Sequence, residues 1–191
     1  MNKILPITIL LCGGILVGCS NSNGLENAPK TGHAIVVYYS ATNNTERIAQ
    51  IIANHIGATL YELEPVNPYT SADLNYNNSS SRVVAEHNDP NRHVELVTTS
   101  FEEFAEADYV FLGFPVWWQE PSWVVNDFVS ENDFTDKVII PFGTSASSGF
   151  DDSNLEELAQ EATWATEQRF RSRESEENVI EWVDSLGLTF E

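Results

Sequence analysis

Cysteine is nearly absent from this chain of 191 residues. The two cysteines are Cys12 and Cys19, and both fall within the first 19 residues. From residue 20 onward the sequence therefore offers no disulfide, no thiol nucleophile and no cysteine-ligated metal or iron–sulfur cluster.

Positive charge is also scarce. Lysine and arginine together number 9, against 29 aspartates and glutamates, and the formal net charge is −20. Such acidity argues against nucleic-acid binding and against adsorption to an anionic membrane surface. It favours a basic protein partner or a cationic ligand, although solubility alone would explain it equally well.

Three sequence motifs for common chemistries are missing. Without G-x-x-x-x-G-K-[ST], nucleotide hydrolysis is not expected. Without G-x-S-x-G, no serine hydrolase arrangement is indicated. Without G-x-G-x-x-G, the standard dinucleotide fingerprint is absent, although some reductases do not need it. The histidines do not have a convincing metal spacing, so no metal site is expected.

No apolar run is long enough to cross a membrane comfortably. The apolar stretch at residues 4–17 follows Lys3 and is broken by Pro6, which is typical of a secretory signal. The stretch ends in Leu-Val-Gly-Cys, a lipobox, so residues 1–18 are predicted to be a lipoprotein signal peptide that is cut just before Cys19. An ordinary secretory signal that happens to contain a cysteine is the alternative.

The lipobox predicts a location as well as a cleavage site. Cys19 would carry the lipid, and residues 19–32, which are polar with glycine and proline, would form a flexible tether. The expected location is the bacterial cell envelope, lipid-anchored on the periplasmic or outer-surface side.

The rest of the chain alternates between strand and helix patterns. Unbroken or alternating apolar runs predict strands at 33–39, 59–63, 109–114 and 137–142, with a short last strand within 163–170. Helical periodicity predicts helices at 44–56, 101–107, 121–129, 154–162 and 175–186. Residues 33–191 are thus one α/β domain, a three-layer sandwich with a five-stranded parallel sheet and helices on both faces.

Three loops would meet at the carboxyl edge of this sheet, where ligands bind in such folds. The first loop, at residues 40–45, is rich in hydroxyl and amide side chains and leads into a helix N-terminus, which favours an anion. The second, at 113–120, carries Trp117 and Trp118, which can stack on a flat ring. The third, at 143–149, is rich in glycine and serine. Together they predict a site for a flat aromatic nucleotide.

These residues resemble a flavodoxin. Flavodoxins often carry S-x-T-G-N-T after the first strand, where this chain has Ser-Ala-Thr-Asn-Asn-Thr from Ser40, with Asn43 in place of glycine. Asparagine is one of the few other residues that tolerate a positive φ. Pro-Val-Trp-Trp from Pro115 resembles the Pro-Ile-Trp-Trp of a short bacterial flavodoxin-like family. Residues 139–149 resemble the fourth-strand segment of that family.

The resemblance implies a bound FMN. Its phosphate would be held by Ser40, Thr42, Asn43, Asn44 and Thr45. One side of its ring would be lined by Pro115, Val116, Trp117 and Trp118. The other side, or the pyrimidine edge, would be contacted by Gly143, Thr144, Ser145 and Gly149. Which tryptophan stacks on the ring stays open at this point.

Three functions are compatible with the resemblance. The leading one is an FMN electron carrier at the envelope, exchanging electrons with a redox protein partner that docks through a basic face. The second is an NAD(P)H-dependent FMN or quinone reductase on the same fold. The third is a cofactor-free interaction module, which only Asn43 in place of glycine supports.

The connection at residues 65–99 is long and polar. Because it leaves the carboxyl end of a strand, it begins on the predicted cofactor side, and long loops there are often lids or partner surfaces. Tyr76 or Arg82 is therefore a candidate to reach the flavin region, with a solvated surface loop as the alternative. Residues 80–87 within it have the pattern of a helical turn.

Overall fold

The computed structural model describes residues 24–191. The predicted signal peptide at 1–18 and the predicted lipidation site, Cys19, lie outside these residues. Across the described part, no helix has both the length and the apolar character that a membrane span requires.

The elements alternate as the sequence pattern predicts. The strands are β1 Thr31–Gly32, β2 Ala34–Tyr38, β3 Thr59–Glu62, β4 Tyr109–Trp117, β5 Glu120–Pro121, β6 Val138–Thr144, β7 Thr163–Trp164, β8 Gln168–Phe170 and β9 Thr189–Phe190. The helices are α1 Asn44–Ile56, α2 Arg82–His87, α3 Asn126–Glu131, α4 Ser153–Leu158 and α5 Glu176–Ser185, and a 3₁₀ turn at Trp123–Val125 leads into α3.

The main sheet is parallel in the order β3-β2-β4-β6, with β7 and β8 both beside β6. The α/β class and the parallel sheet are confirmed. The strand count differs, because the sheet has seven strands rather than the predicted five. β7 pairs with the start of β6 and β8 with its end, so the last strand is interrupted, and β5 folds back antiparallel on β4.

Both faces of the sheet are covered by apolar packing. Ile35 and Val37 of β2 point to one core cluster, with Phe128 of α3, whereas Val36 points to the other, with Ile48 of α1. This alternation along one strand is what a buried central strand requires. It leaves the carboxyl ends of β2, β4 and β6 as the open edge.

Three predicted helices differ from the structure. The helix predicted at 121–129 is a 3₁₀ turn at Trp123–Val125 followed by α3 at Asn126–Glu131. Residues 101–107 form consecutive turns rather than a helix, closed by short-range bonds such as Phe104 N–H to Phe101 O, and the Lys137 ammonium caps the carbonyls of Ala105 and Ala107. α4 ends at Leu158, four residues before the predicted end. The predicted helical turn in the long connection is confirmed as α2.

The segment just before β2 packs against the domain. Leu25 is 1% exposed within the core cluster that contains α1 and α5, and β1 pairs in parallel with β9 near the C-terminus. The Tyr109 hydroxyl donates a hydrogen bond to the Pro29 carbonyl. The folded part therefore begins earlier than the predicted boundary at residue 33, and residues 24–32 are not a free tether.

Candidate functional site

The three predicted loops meet at the carboxyl edge of the sheet. The Thr45 hydroxyl of α1 and the Thr144 hydroxyl of β6 lie 2.7 Å apart and are both buried, which joins the first loop to the third. Pro115 of β4 is paired with Thr144 in the sheet, which joins the second loop to the third. The three loops therefore lie together at one edge of the sheet, and that they form one ligand site stays a prediction.

The first loop has the backbone shape that its asparagine suggests. Asn43 has φ 61° and precedes α1, where its carbonyl accepts the N–H of Arg47. The Asn44 amide donates to the Thr42 hydroxyl at 3.0 Å. The Ser40 hydroxyl oxygen is buried and has no hydrogen-bond partner. An unpaired buried hydroxyl beside the free N–H groups of a helix start fits an anionic group such as a phosphate.

A cavity of about 500 Å³ opens beside this loop. Five of the residues that line it were predicted as site residues: Thr42, Pro115, Val116, Trp117 and Trp118. Tyr76, the candidate from the long connection, also lines it. The other four were not predicted as cofactor contacts: Ala41 and Ser148, which lie within the predicted loops, and Leu74 and Val83, which lie in the long connection. The volume and the mixture of aromatic, aliphatic and hydroxyl groups are typical of a site for a small planar ligand.

The two tryptophans occupy different environments. Trp117 is half-buried and meets three rings edge-on, with centroid distances of 4.8 Å to Trp123, 5.3 Å to Tyr69 and 6.0 Å to Tyr39. Trp118 is 39% exposed and stacks on His87 of α2 at 4.2 Å, with 8° between the planes. Trp117 is thus fixed by its neighbours. Trp118 also stacks against Trp123, at 6.1 Å with 28° between the planes, and is the more exposed of the two tryptophans.

Trp118 and Gln119 form the two-residue turn between β4 and β5. Their φ angles are 51° and 68°, and Trp117 pairs with Glu120 across the turn. A two-residue hairpin favours positive φ at both positions, a conformation that costs free energy for residues with a side chain. The stack on His87 holds Trp118 in that conformation. The turn places an aromatic ring at the cavity instead of the usual glycine.

The third loop contributes less to the cavity than predicted. Gly143 lies beneath the Phe150 ring, and a Cβ there would be 2.5 Å from Phe150 and 2.9 Å from the Val116 side chain, so only glycine fits. The Ser145 hydroxyl accepts the N–H groups of Ser147 and Ser148, which turns the loop so that Ser148 reaches the cavity.

The other predicted residues of this loop lie elsewhere. Gly143, Thr144, Ser145 and Gly149 do not line the cavity. Thr144 instead bonds Thr45, and Gly149 borders a smaller recess of about 250 Å³ with Gln119. Their predicted contact with the cofactor ring stays a prediction.

The long connection supplies the far wall of the site through α2. The Glu86 carboxylate accepts hydrogen bonds from the Tyr69 hydroxyl at 2.5 Å, Arg82 Nε at 2.6 Å and Trp123 Nε1 at 2.9 Å. The Arg82 guanidinium also lies 3.9 Å over the Tyr69 ring. This network holds Tyr69 against Trp117. Of the two candidates in this connection, Tyr76 lines the cavity and Arg82 acts behind it, on Glu86.

The tyrosines at the site stay protonated. Burial raises the pKa of Tyr39, and burial together with the hydrogen bond to Glu86 raises the pKa of Tyr69. Each hydroxyl therefore keeps its proton across the working pH range, and Tyr69 donates a hydrogen bond to Glu86.

The carboxyl group of Asp152, which follows the third loop, destabilises the folded state when it is ionised. Asp152 is 8% exposed, and burial first and the charge of Glu167 second raise its pKa to about 6. The folded state holds this proton more tightly than the unfolded state, so stability is lost as pH rises from about 4 to about 6 and the loss is complete above that.

Asp152→Asn should therefore raise stability at neutral pH. We expect a gain of about 1–2 kcal/mol at pH 7.5, after allowance for solvent screening, and almost none at pH 4. Urea unfolding at both pH values measures this difference. An equal gain at pH 4 and pH 7.5 would contradict the ionisation as its cause.

Within residues 24–191 there is no group of three or more histidine, cysteine, aspartate and glutamate side chains that could hold a metal ion.

The model of the flavodoxin family matches residues 33–186. The chain therefore belongs to the flavodoxin family, as the loop residues indicated. No curated protein matches the chain.

Several solved structures share the fold. A protein from Bacteroides eggerthii, provisionally classed as a flavoprotein, is 31% identical, with a TM-score of 0.75 over 83% of this chain and 99% of the other. A similarly classed protein from Bacteroides uniformis is 32% identical, with a TM-score of 0.75 over 81% and 99%. A flavoprotein of Lactobacillus acidophilus in complex with FMN is 19% identical, with a TM-score of 0.56 over 72% and 93%, which shows the fold alone.

Proposed function

We propose that this domain binds FMN at the cavity beside Trp117 and Trp118 and carries electrons between proteins. The observation that carries the proposal is the juxtaposition at one sheet edge of the buried Ser40 hydroxyl, the start of α1 and a cavity of about 500 Å³ with two tryptophans. Family membership and the Lactobacillus complex with FMN support the same cofactor.

Different residues would bind the phosphate and the ring of such a cofactor. Ser40, Thr42 and the N–H groups at the start of α1 would bind the phosphate. Trp118 lines the cavity with a ring that is 39% exposed, while Trp117, fixed by Tyr39 and Tyr69, closes the cavity against water. Electron transfer itself is the chemistry that the flavin supplies when it is bound.

An absorption spectrum tests the cofactor. The domain from Ser20 onward, which retains Leu25, is incubated with FMN, desalted and measured in the visible range. Retained and shifted flavin bands are the expected result. A folded but colourless protein would refute the proposal and leave the interaction module as the better reading.

The reductase remains the second candidate function. Its favouring observation is that the cavity is bounded on one side by Tyr76, which is 71% exposed, so a small acceptor could approach from solvent. Steady oxidation of NAD(P)H by the FMN-loaded domain in the presence of a quinone would favour the enzyme. No turnover beyond the bound flavin would favour the carrier.

We also propose that the protein is anchored in the bacterial envelope through a lipid on Cys19 and that its redox partner presents a basic face. The lipobox and the net charge of −20 support these two points. Incorporation of a labelled fatty acid into the wild type but not into Cys19→Ala tests the anchor. Partner binding that weakens as salt is raised tests the charge.

A further inference from the structure

Four of the six arginines lie in two segments beside the candidate site: the first turns of α1 and the end of β8 with the turn after it. Arg169 donates to the Ser145 carbonyl at 3.3 Å, and Arg47 of α1 donates to the Glu174 carbonyl. Arg171 and Arg173 flank the same turn, in which the N–H of Glu174 bonds the Arg171 carbonyl. We refer to Arg47, Arg169, Arg171 and Arg173 as the arginine rim. Three of them follow one another closely at the end of β8, and Arg47 of α1 is joined to them through its bond to the Glu174 carbonyl.

The arginine rim is not neutralised by ion pairs. Over residues 24–191, none of its guanidinium groups lies within ion-pair distance of a carboxylate, whereas Arg82 pairs with Glu86 and Arg92 with Glu120. The carboxyl of Glu174 lies close enough to be affected by the charge of two arginines of the rim. Its pKa is lowered by hydrogen bonds from Asn178 and the Arg171 backbone first, and by the charges of Arg171 and Arg169 after them. A chain with 29 acidic residues thus leaves these four cations without a direct partner.

The arginine rim lies next to the anion-binding features already described. Ser145, whose carbonyl Arg169 holds, shapes the loop that brings Ser148 to the cavity beside Thr42. Arg47 is in the first turns of the helix whose start follows Ser40 and Thr42. Guanidinium groups have five N–H donors, and each of these bonds uses one of them, so donors remain for an anion.

We propose that the arginine rim is a phosphate subsite of the pocket, acting on a phosphate ester of the bound ligand. This inference rests on the proposed function, because that function places the ligand in the cavity. The positive charge of the subsite does not depend on it. The phosphate belongs either to FMN itself or to a second phosphorylated ligand at the same edge. Both sources require the same interaction, in which the oxygens of a phosphate dianion accept hydrogen bonds from guanidinium groups that have no carboxylate partner.

Flavin affinities separate the two sources. We compare the dissociation constants for FMN and riboflavin, by flavin fluorescence, in the wild type, in Arg171→Gln/Arg173→Gln and in Arg169→Gln. If the rim acts on FMN, the FMN constant rises roughly three- to tenfold and the riboflavin constant does not change, as expected for charges several ångströms from a phosphate. Lys30→Gln, which removes one charge at the opposite edge, is the control for single-arginine variants.

Pyrophosphate provides the second arm of the test, in which the melting temperature is measured. If the rim serves a second ligand, FMN affinity is unchanged, and millimolar pyrophosphate raises the melting temperature of the FMN-loaded wild type but not of Arg171→Gln/Arg173→Gln. If the wild type binds neither FMN nor riboflavin, the proposed function is refuted but the subsite is not. The same melting experiment with pyrophosphate is then done on the flavin-free domain and tests the subsite by itself. If no variant differs from Lys30→Gln in either arm, the subsite is refuted.

Discussion

Replacing Glu86 with alanine should lower the free energy of unfolding by roughly 2–3 kcal/mol and weaken FMN binding at the same time. The carboxylate accepts three hydrogen bonds, and its removal leaves Arg82, the Tyr69 hydroxyl and the Trp123 indole without their shared acceptor. Breaking a buried pair from one side is costly, and the partial exposure of Arg82 reduces that cost. In a domain of this size the melting temperature should fall by roughly 5–10 °C.

Glu86→Gln is the matched control. Glutamine retains an acceptor for Tyr69 or Trp123 but loses the charge opposite Arg82, so it should fall between the wild type and Glu86→Ala. Urea unfolding measures both variants, and a flavin titration follows the cavity. Wild-type stability in Glu86→Ala would show that α2 does not support the aromatic wall.

Alanine substitutions at Trp117 and Trp118 should have different effects, because the first should lower both stability and FMN affinity and the second mainly FMN affinity. Trp117→Ala removes three edge-on ring contacts and is expected to cost roughly 3–4 kcal/mol of stability as well as FMN affinity. Trp118→Ala removes a partly exposed ring from a strained turn. It should cost less than about 1 kcal/mol of stability but weaken FMN binding roughly 10- to 100-fold.

The phenylalanine variants at the same positions are the controls. Trp118→Phe keeps a ring face and should retain most of the FMN affinity, while Trp117→Phe should recover much of the stability. If Trp118→Ala binds FMN as the wild type does, the flavin does not stack on Trp118. Loss of affinity confined to Trp117→Ala would then assign the stacking to Trp117.

The central features of the fold could be predicted from local pattern. The apolar runs of β2, β4 and β6 and the periodicity of α1 and α5 predict a parallel α/β sheet, because a strand buried on both faces has few other sequences available to it. Asn43 was predicted to tolerate a positive φ and has φ 61°. These features depend on neighbours in sequence, so they can be read from the sequence.

The remaining features depend on contacts between distant segments. The clamp between Thr45 and Thr144 joins residues 99 positions apart, and Arg82 was expected at the cofactor but bonds Glu86 behind the wall. Residues 101–107 have a helical pattern, yet Lys137 on another segment stabilises them as turns. The arginine rim was missed for the same reason, since the loop sequence itself contains no cation.

If Cys19 carries a lipid, the buried position of Leu25 limits the length of the linker between the lipid and the folded domain. Leu25 is the sixth residue after Cys19, and an extended chain spans at most about 3.5 Å per residue, or roughly 20 Å in all. β1 leads directly into the amino end of β2, whereas the cavity lies at the carboxyl ends of the strands, so the cavity would face away from the bilayer. A domain held so close to the lipid could not search far for its partner, and the partner would have to come to it.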